Sequence, residues 1–531
     1  MVPQGFTTSE SKLRLHQMTG GRLLARNALI NLFGQLTPLL AAYFAIPRLV
    51  RGMGTESFGV LALTWSFIGY FSLFDLGLGR ALTKLVSEKL GAGLDKEIPG
   101  LVRTSLFLML VPGLIAMLLL FAFARKAAVQ WLQIPGDLES EVTSVLHLLA
   151  LCIPIIITTA GLQGLLEAKQ RFDLINAVRI PLGFLTYLGP LAAFAVFHSL
   201  FAVIATLVAC RLIGWAAILI VCWKVTPFMS GVVSIKLVQV GSLIRFGGWM
   251  TVSNIISPMM VNLDRWLIGA VASMNAVAYY ATPFEIVNKL FNVPSALIKV
   301  LFPAFSASYD VDRHRTETMF VKGTKHILLL LFPLVLLIVG AAREILNWWL
   351  GVDFAQNSTL VLQLLAIGVL ISSLSLVPFS LVQGAGRPNF TAKLHLIELP
   401  IYALTVWGLV HRFGIVGAAF AWLLRVLIDG LILFHKAWSL LATARIKKVQ
   451  TLLSMGCALG VLSCLVLIPN LYHRLILMVA LLVAFSWVAW RHLIDQEEKS
   501  FILVNVRTKA LQVAAGIRSS WAAILGGSSR F

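Results

Sequence analysis

Charged residues are scarce in this sequence, and acidic ones are the scarcest. Asp, Glu, Lys and Arg together make up 12% of the 531 residues, whereas 59% of the chain is apolar. A soluble domain carries about 25% charged and roughly 45–50% apolar residues, so a soluble protein of this composition could not cover its apolar surface. Apolar runs of about 18 or more residues recur along the chain, which is typical of membrane-spanning helices. The composition therefore excludes a soluble multidomain protein.

Paired cysteines and nucleotide-binding loops are also missing. The five cysteines lie in apolar runs, without the close spacing of a zinc site or a disulfide framework, which indicates free thiols packed as small apolar side chains. No GxxxxGK[ST] loop occurs, so the sequence gives no sign of an ATPase. We expect no cofactor, no metal ion and no catalytic residue.

The net charge of +20 does not indicate a nucleic-acid partner, because the basic residues are spread over many short loops. Fourteen apolar runs are long enough to span the bilayer, and an even number places both termini on one side. Of the 43 Lys and Arg residues, 31 lie on that side at or near span ends, eight on the other side and four within spans. This bias predicts cytoplasmic termini. The predicted spans are near 27–47, 58–79, 101–124, 142–165, 177–197, 200–223, 244–270, 277–300, 326–342, 359–382, 394–411, 415–440, 451–470 and 474–490.

The two halves of the chain carry similar motifs in the same order. Gln163-Gly164 corresponds to Gln383-Gly384 and Arg211 to Arg425, at offsets of 220 and 214 residues, or about six spans. An even number of spans gives parallel repeats, an architecture typical of alternating-access transporters. The predicted units are a basic cytoplasmic N-terminus (1–26), two six-helix bundles (27–224 and 244–440) joined by a cytoplasmic linker (225–243), two further helices (451–490), and a tail (491–531) that is either an interfacial helix or disordered.

Polar side chains inside the predicted spans need partners or water, because ionisable groups at bilayer depth are costly. Glu285, Lys289 and Asn292 follow one helical face of the eighth span, with the first two at an i, i+4 spacing that allows an ion pair. A structural interpretation is that such groups bridge neighbouring helices. The stripe as a set favours a hydrated, cationic cavity, in which Arg and Lys would contact an anionic, sugar-bearing substrate.

Several motifs resemble the polysaccharide flippases, which export O-antigen, capsule and exopolysaccharide and belong to the multidrug/oligosaccharidyl-lipid/polysaccharide (MOP) superfamily. The resemblance covers about residues 20–490. The segments that carry it are Pro47-Arg48-Leu49, Gly54-Thr55-Glu56-Ser57-Phe58-Gly59, Phe74-Asp75-Leu76-Gly77-Leu78-Gly79-Arg80-Ala81, Tyr279-Tyr280, Pro294 with Leu301-Phe302-Pro303, Gly384-Ala385-Gly386-Arg387-Pro388 and Gly414-Ile415-Val416-Gly417-Ala418-Ala419-Phe420-Ala421.

The resemblance implies an all-α, MATE-like fold in the bacterial inner membrane and a non-enzymatic function. The chain would carry undecaprenyl-pyrophosphate-linked oligosaccharide to the outer leaflet, within reach of a polysaccharide polymerase or its assembly machinery. The stretch from Asp75 to Gly79 is interpreted as structural, a hinge rather than a substrate contact. The candidates for substrate contact are Arg211, Lys289, Arg425, Asn292 and Asn31, and those for ion coupling are Glu285, Asp429 and Asp264.

Two other functions remain open at this point. A cation-coupled multidrug efflux pump would share the fold, although such a pump would favour carboxylates over basic groups in its cavity. A membrane glycosyltransferase or polymerase would need a metal-binding motif, and Asp310-Val311-Asp312 has the Asp-x-Asp spacing for one. The alternative interpretation of that motif is a solvated loop between helices.

Overall fold

A computed structural model gives the architecture of residues 19–71, 77–126, 139–227, 237–271, 274–441, 445–468 and 470–494, with a few isolated positions beyond them. The predicted tail and most of the predicted N-terminal segment lie outside these residues. All regular secondary structure in the described part of the chain is helical. The helices are α1 (Gly21–Phe71), α2 (Leu78–Gly91), α3 (Ile98–Lys126), α4 (Glu139–Ala168), α5 (Phe172–Phe197), α6 (Leu200–Val225), α7 (Leu237–Val271), α8 (Met274–Asn288), α9 (Asn292–Ser308), α10 (Arg313–Gly340), α11 (Ala342–Leu350), α12 (Val352–Gly384), α13 (Pro388–Leu441), α14 (Arg445–Val466) and α15 (Leu471–Val488).

The helices confirm the predicted fold class of a polytopic all-α membrane protein. Among the described residues, ten helices are long and apolar enough to cross a bilayer. The remaining predicted spans correspond to the second part of α1, to α7, to α14 and to the second arm of α13. The long helix α13 contains two predicted spans, because the chain reverses at Gly414. Its φ of 57° and ψ of −139° lie in a region open essentially only to glycine.

A short helix that the sequence analysis did not predict lies between α10 and α12. Helix α11 (Ala342–Leu350) has too few residues to span the membrane. Its Trp348 side chain is 88% exposed, and Trp349 is also exposed. Tryptophan is enriched at the boundary between lipid and water, so this helix has the composition of an interfacial segment.

The eighth predicted span is interrupted by a tighter turn. Helix α8 ends at Asn288, Lys289–Phe291 form a 3₁₀ turn, and α9 continues to Ser308. Pro294 explains the break, because proline has no N–H for the carbonyl of Leu290, four residues earlier, and its ring would clash with that carbonyl. A 3₁₀ stretch in the middle of a helix often marks a hinge.

The helices pack in two groups, which we call the N-half (α1–α6) and the C-half (α7–α13). In the N-half, α5 packs on α1 and α6, and α4 packs on α2, α3 and α6. In the C-half, α12 is central and contacts α8, α9, α10, α11 and α13. Helices α14 and α15 pack on α10 outside this group, where Phe485 contacts Phe332 with ring centroids 4.6 Å apart. The residue boundaries predicted for the two bundles stay a prediction.

The two halves meet along a seam at one end of the bundle, where α4 ends, α5 begins and α9 ends. Helix α9 contacts α1, α2 and α4, and α2 also contacts α7. Two glycines of the N-half allow this approach. A Cβ on Gly91 would lie 2.2 Å from the carbonyl oxygen of Ala307, and one on Gly77 would lie 2.3 Å from the Cβ of Met250. The packing of Gly77 on α7 agrees with a structural role for the glycine pair near Asp75, which itself lies outside the described residues.

Candidate functional site: a basic cavity, a seam and a buried polar network

A cavity of about 490 Å³ lies within the N-half, between α1, α4, α5 and α6. Two arginines line it, Arg179 from α5 and Arg211 from α6. Around them are groups suited to sugars or to hydrogen bonding: Trp65, Thr159, Gln163, Thr186, Tyr187 and Trp215. Because Arg carries its charge at all physiological pH values and presents several donors in one plane, this cavity can bind phosphate or carboxylate groups.

Arg179 connects the cavity to the seam. Its guanidinium donates to the Oδ1 of Asn31 at 2.8 Å, and the Nδ2 of Asn31 donates to the backbone oxygen of Ala296 in α9 at 3.3 Å. Asn31 is completely buried. A predicted substrate contact is thus a link between the cavity arginine and the opposite half. An anion that draws Arg179 away would leave Asn31 without its charged partner.

Two further contacts cross the seam close by. The Nε2 of Gln170 donates to the backbone oxygen of Val300 at 3.1 Å, and Arg80 donates to the Oε1 of Gln383 at 3.1 Å. Gln170 has a left-handed backbone conformation with a φ of 57°. The buried Asn27 fixes its position, because the Nδ2 of Asn27 donates a hydrogen bond to the Gln170 backbone oxygen at 3.0 Å. Gln383 belongs to the Gln-Gly pair of the second repeat, so one residue of that motif forms a hydrogen bond between the two halves.

Charges also face each other across the seam. Glu167 of α4 lies within electrostatic range of Lys299 of α9 and of Arg179. Lys299 lies at the end of one predicted span and Arg179 near the start of another, where a long side chain could extend to the membrane surface. In the structure both lie within electrostatic range of Glu167, which falls between the predicted spans 142–165 and 177–197.

A buried polar network occupies the C-half. Asp264 of α7 is fully buried and accepts a hydrogen bond from the hydroxyl of Tyr280. Arg425 lies over the ring of Tyr402 at 5.1 Å and points one N–H at the sulfur of Met260, 3.8 Å away. Of the predicted residues, Asp264, Arg425 and Asp429 all lie in this network or directly beside it.

Asp429 has two neighbours that the sequence analysis missed. His395 and Glu398 lie on the first arm of α13, and one ligand atom from each of His395, Glu398 and Asp429 lies within 4.8 Å of the others. The signal in the sequence is the His-x-x-Glu spacing, which puts both side chains on one helical face. This spacing alone does not indicate a binding site, because both residues fall near the start of a predicted span, where a polar side chain can reach water.

A third group of predicted residues lies on an accessible surface of the C-half. Glu285 forms ion pairs with Arg265 at 3.1 Å and with Lys289 at 3.7 Å. The Lys289 side chain is 72% exposed, at the 3₁₀ turn between α8 and α9, and Asn292 follows it at the start of α9. The eight predicted site residues therefore fall into the N-half cavity, the seam, the buried network and this accessible group, rather than into a single cluster.

The Asp-x-Asp motif has a structural use. Asp312 begins α10, and its carboxylate accepts a hydrogen bond from the backbone N–H of Arg315 at 2.9 Å. A capping carboxylate stabilises the start of a helix. The second acidic residue of the motif is accordingly explained without a metal or a nucleotide-sugar.

Solved structures identify the class of protein. The chain matches an outward-facing multidrug resistance MATE transporter of the MOP superfamily with a TM-score of 0.70 and 14% identity, over 82% of this chain and 99% of that one. A MOP superfamily transporter from Pyrococcus furiosus matches with a TM-score of 0.67 and 14% identity, over 83% and 100% of the two chains. At this identity the likeness shows the fold, which is that of a multi-pass membrane transporter of MATE type.

The sequence comparisons give the family. Residues 24–309 match the family described as polysaccharide biosynthesis protein. A Shigella flexneri protein named as an O-antigen transporter is 31% identical over 77% of this chain and 96% of its own length. A Haloferax volcanii protein named as a low-salt glycan biosynthesis flippase is 23% identical over 76% of this chain and 80% of its own. The chain belongs to the polysaccharide biosynthesis protein family, the polysaccharide flippases of the MOP superfamily.

Proposed function

We propose that this protein carries a polyprenyl-pyrophosphate-linked oligosaccharide from the cytoplasmic to the outer leaflet of a bacterial inner membrane. The observation that carries the proposal is the N-half cavity with Arg179 and Arg211 on its wall. Two arginines beside aromatic and amide side chains match a ligand that combines phosphate with sugar. The product would serve surface polysaccharide assembly, for O-antigen, capsule or exopolysaccharide, with contact to a polymerase as part of the proposal.

In this proposal, the protein works by alternating access, and the contacts of the seam close the cavity at one end. The halves are held together at one end by Asn31, Gln170 and Arg80. Rocking of the halves would break these contacts and open the cavity to the cytoplasm, where the termini are proposed to lie. A sideways opening would let the polyprenyl tail remain in lipid while the polar headgroup moves through water, because unsatisfied polar groups in hydrocarbon cost several kcal/mol each.

The membrane potential would favour this direction of transport. With a negative cytoplasm, outward movement of a pyrophosphate is downhill by about 2.3 kcal/mol per charge for each ~100 mV. The predicted ion-coupling residues Glu285, Asp264 and Asp429 belong to this proposal as groups that could exchange a cation during the cycle. Lys289, Arg425 and Asn292 belong to it as further substrate contacts.

Deletion of the gene tests the proposal. We expect undecaprenyl-linked repeat units to accumulate on the cytoplasmic side and surface polysaccharide to disappear, with both effects reversed by the wild-type gene on a plasmid. Mass analysis of the accumulated lipid would identify the glycan. Unchanged polysaccharide and lipid intermediates, together with increased sensitivity to cationic drugs, would contradict the flippase proposal and favour multidrug efflux.

A further inference from the structure

A group of ligand atoms in the C-half combines Asp429, one of the proposed ion-coupling residues, with two residues that the proposed transport does not use. His395 and Glu398 project from the first arm of α13, and Asp429 projects from the second arm, beyond the reversal at Gly414. Their nearest ligand atoms all lie within 4.8 Å of one another. The group therefore brings together one imidazole and two carboxylates from two antiparallel helical arms.

Most of these groups are buried, and no other residue donates a hydrogen bond to their free atoms. His395 is 6% exposed and Glu398 is 8% exposed, whereas Asp429 is half-buried. Within the described helices, the Nδ1 of His395, both carboxylate oxygens of Glu398 and the Oδ1 of Asp429 receive no hydrogen bond from a protein donor. The carboxyl groups of Glu398 and Asp429 lie close enough to share a proton with each other. Burying carboxylates without compensation is strongly unfavourable, so a proton or a cation is expected between them.

The protein's own cations do not balance the charge. Three carboxylates lie in this part of the C-half, those of Asp264, Glu398 and Asp429, and Arg425 is the guanidinium that acts on all three. Arg425 is itself directed toward Met260 and the ring of Tyr402. At the ligand group itself, two carboxylates face this one guanidinium, so a bound cation would supply the positive charge that the protein lacks there.

We propose that His395, Glu398 and Asp429 form a binding site for one divalent transition-metal ion of the Zn²⁺ class. Mg²⁺ and Ca²⁺ prefer oxygen ligands only, whereas Zn²⁺, Co²⁺ and Mn²⁺ accept an imidazole nitrogen together with carboxylates. A His and a Glu three residues apart on one helix is a spacing that helical bundles use to hold metal ions. Water would complete the coordination shell.

The surroundings hold the imidazole in a defined position. The ring of His395 stacks on Phe379 of α12, with centroids 5.8 Å apart and planes 13° apart. The stacking therefore fixes the plane of the imidazole, and its Nδ1 is free of any hydrogen bond within the described residues. A bound ion would join the two arms of α13 and so stabilise the hairpin around Gly414.

Metal content of the purified full-length protein tests the site. The chain is purified in detergent with a tag that contains no histidine, stripped with EDTA, loaded with Zn²⁺, passed over a desalting column and measured by elemental mass spectrometry. We expect one Zn²⁺ per wild-type chain, and at least tenfold weaker retention in Glu398→Gln and Asp429→Asn. Asp353→Asn is the matched control, because it removes an exposed carboxylate at the start of α12 in the same half, and it should retain the metal.

Two further readouts keep the test decisive if a variant does not fold. Co²⁺ added to the stripped wild-type protein should give visible absorption bands of a nitrogen- and oxygen-ligated site, displaced by Zn²⁺. Zn²⁺, but not Mg²⁺, should raise the thermal unfolding temperature of the wild type. If the wild-type chain retains no Zn²⁺ after desalting and its unfolding temperature does not change, the metal site is wrong and the carboxylates are neutralised by protons. If Asp353→Asn loses as much metal as Glu398→Gln, the binding is non-specific and the proposal is also overturned.

Discussion

Arg211 is the predicted residue whose environment fits an anionic ligand best. It lines the N-half cavity beside Arg179, and its counterpart in the second repeat, Arg425, lies in a buried network instead. The two repeats have thus kept an arginine at the same place in the sequence and given it different surroundings. Arg211 faces the cavity of about 490 Å³, which makes it the first candidate for contact with a charged headgroup.

Replacing Arg211 should therefore impair transport. Charge-assisted hydrogen bonds contribute about 1.5–3 kcal/mol each, and about 1.4 kcal/mol of barrier corresponds to a tenfold change in rate. Arg211→Gln should therefore reduce the rate of polysaccharide export roughly ten- to a hundredfold. Arg211→Lys keeps the charge but not the planar fork and should retain intermediate activity. The measurement is complementation of the deletion strain at equal protein levels.

The matched control for this experiment is Arg412→Gln. Arg412 is exposed near the reversal of α13, in the C-half, and is not among the residues that line the N-half cavity. Its replacement should leave export unchanged. If Arg211→Gln exports as well as this control, the N-half cavity does not bind the substrate.

Tyr280 stabilises the buried Asp264 by hydrogen bonding. Tyr280→Phe removes the hydroxyl that donates to the carboxylate, so we expect the variant to lose about 1–3 kcal/mol of stability. Tyr279→Phe is the control, because the Tyr279 ring packs edge-on against Phe354 and keeps that contact without its hydroxyl. Thermal unfolding in detergent compares the two, and an equal effect of both changes would contradict the assignment.

Helix α13 shows at the level of elements how far the sequence could be read. Hydropathy gave its two arms as separate spans, and the structure confirms them. The reversal between them depends on one backbone conformation at Gly414, which hydropathy does not encode. The proximity of Glu398 to Asp429 could not be predicted either, because it depends on how the two arms align after that turn. The short helix α11 was missed for a different reason, since its nine residues form no apolar run of spanning length.

The turn at Gly414 gives a prediction for this element. A Cβ at Gly414 would meet nothing within 4 Å, so an added methyl group has space but a disfavoured backbone conformation. Gly414→Ala should therefore lower the stability by about 1–3 kcal/mol. Gly408→Ala is a suitable control, because Gly408 lies in the helical first arm of α13 and also has open space around it. In a helix, alanine is more favourable than glycine by about 1 kcal/mol, so this change should raise the stability. Opposite effects on the thermal unfolding temperature are expected, and equal effects would refute this explanation of the turn.

At the scale of the whole molecule, the fold was predictable and the distribution of the polar groups was not. Apolar run lengths and the repeat predicted a polytopic membrane protein with a transporter-type architecture, since these depend on the bilayer and on order along the chain. The resemblance to the polysaccharide flippases implied the MATE-like fold. Asn31 was predicted to contact the substrate from its place on a polar face. In the structure it lies between Arg179 and the backbone of Ala296, and its contact with substrate stays a prediction. Contacts between distant helices set that arrangement, and one sequence carries little information about them.

The seam predicts that the two halves must separate during transport. In a chain carrying Asn31→Cys and Ala296→Cys, a short thiol cross-linker should join α1 to α9 and stop export, and cleavage of a reducible linker should restore it. Each single cysteine variant, treated in the same way, controls for modification and for the five natural cysteines, which the structure shows as free. Undiminished export by a fully cross-linked protein would exclude rocking at this end.

The acceptors of two seam bonds are backbone oxygens, those of Ala296 and Val300, whereas the donors are the side chains of Asn31 and Gln170. Substitutions on α9 can change the size or polarity of its surface but cannot delete these acceptors. For these two bonds, closure is therefore encoded in side chains of the N-half, whereas the Arg80–Gln383 bond and the facing charges of Glu167 and Lys299 depend on both halves. Substitutions at Asn31 or Gln170 alone should thus weaken closure while every contact that the C-half supplies stays in place.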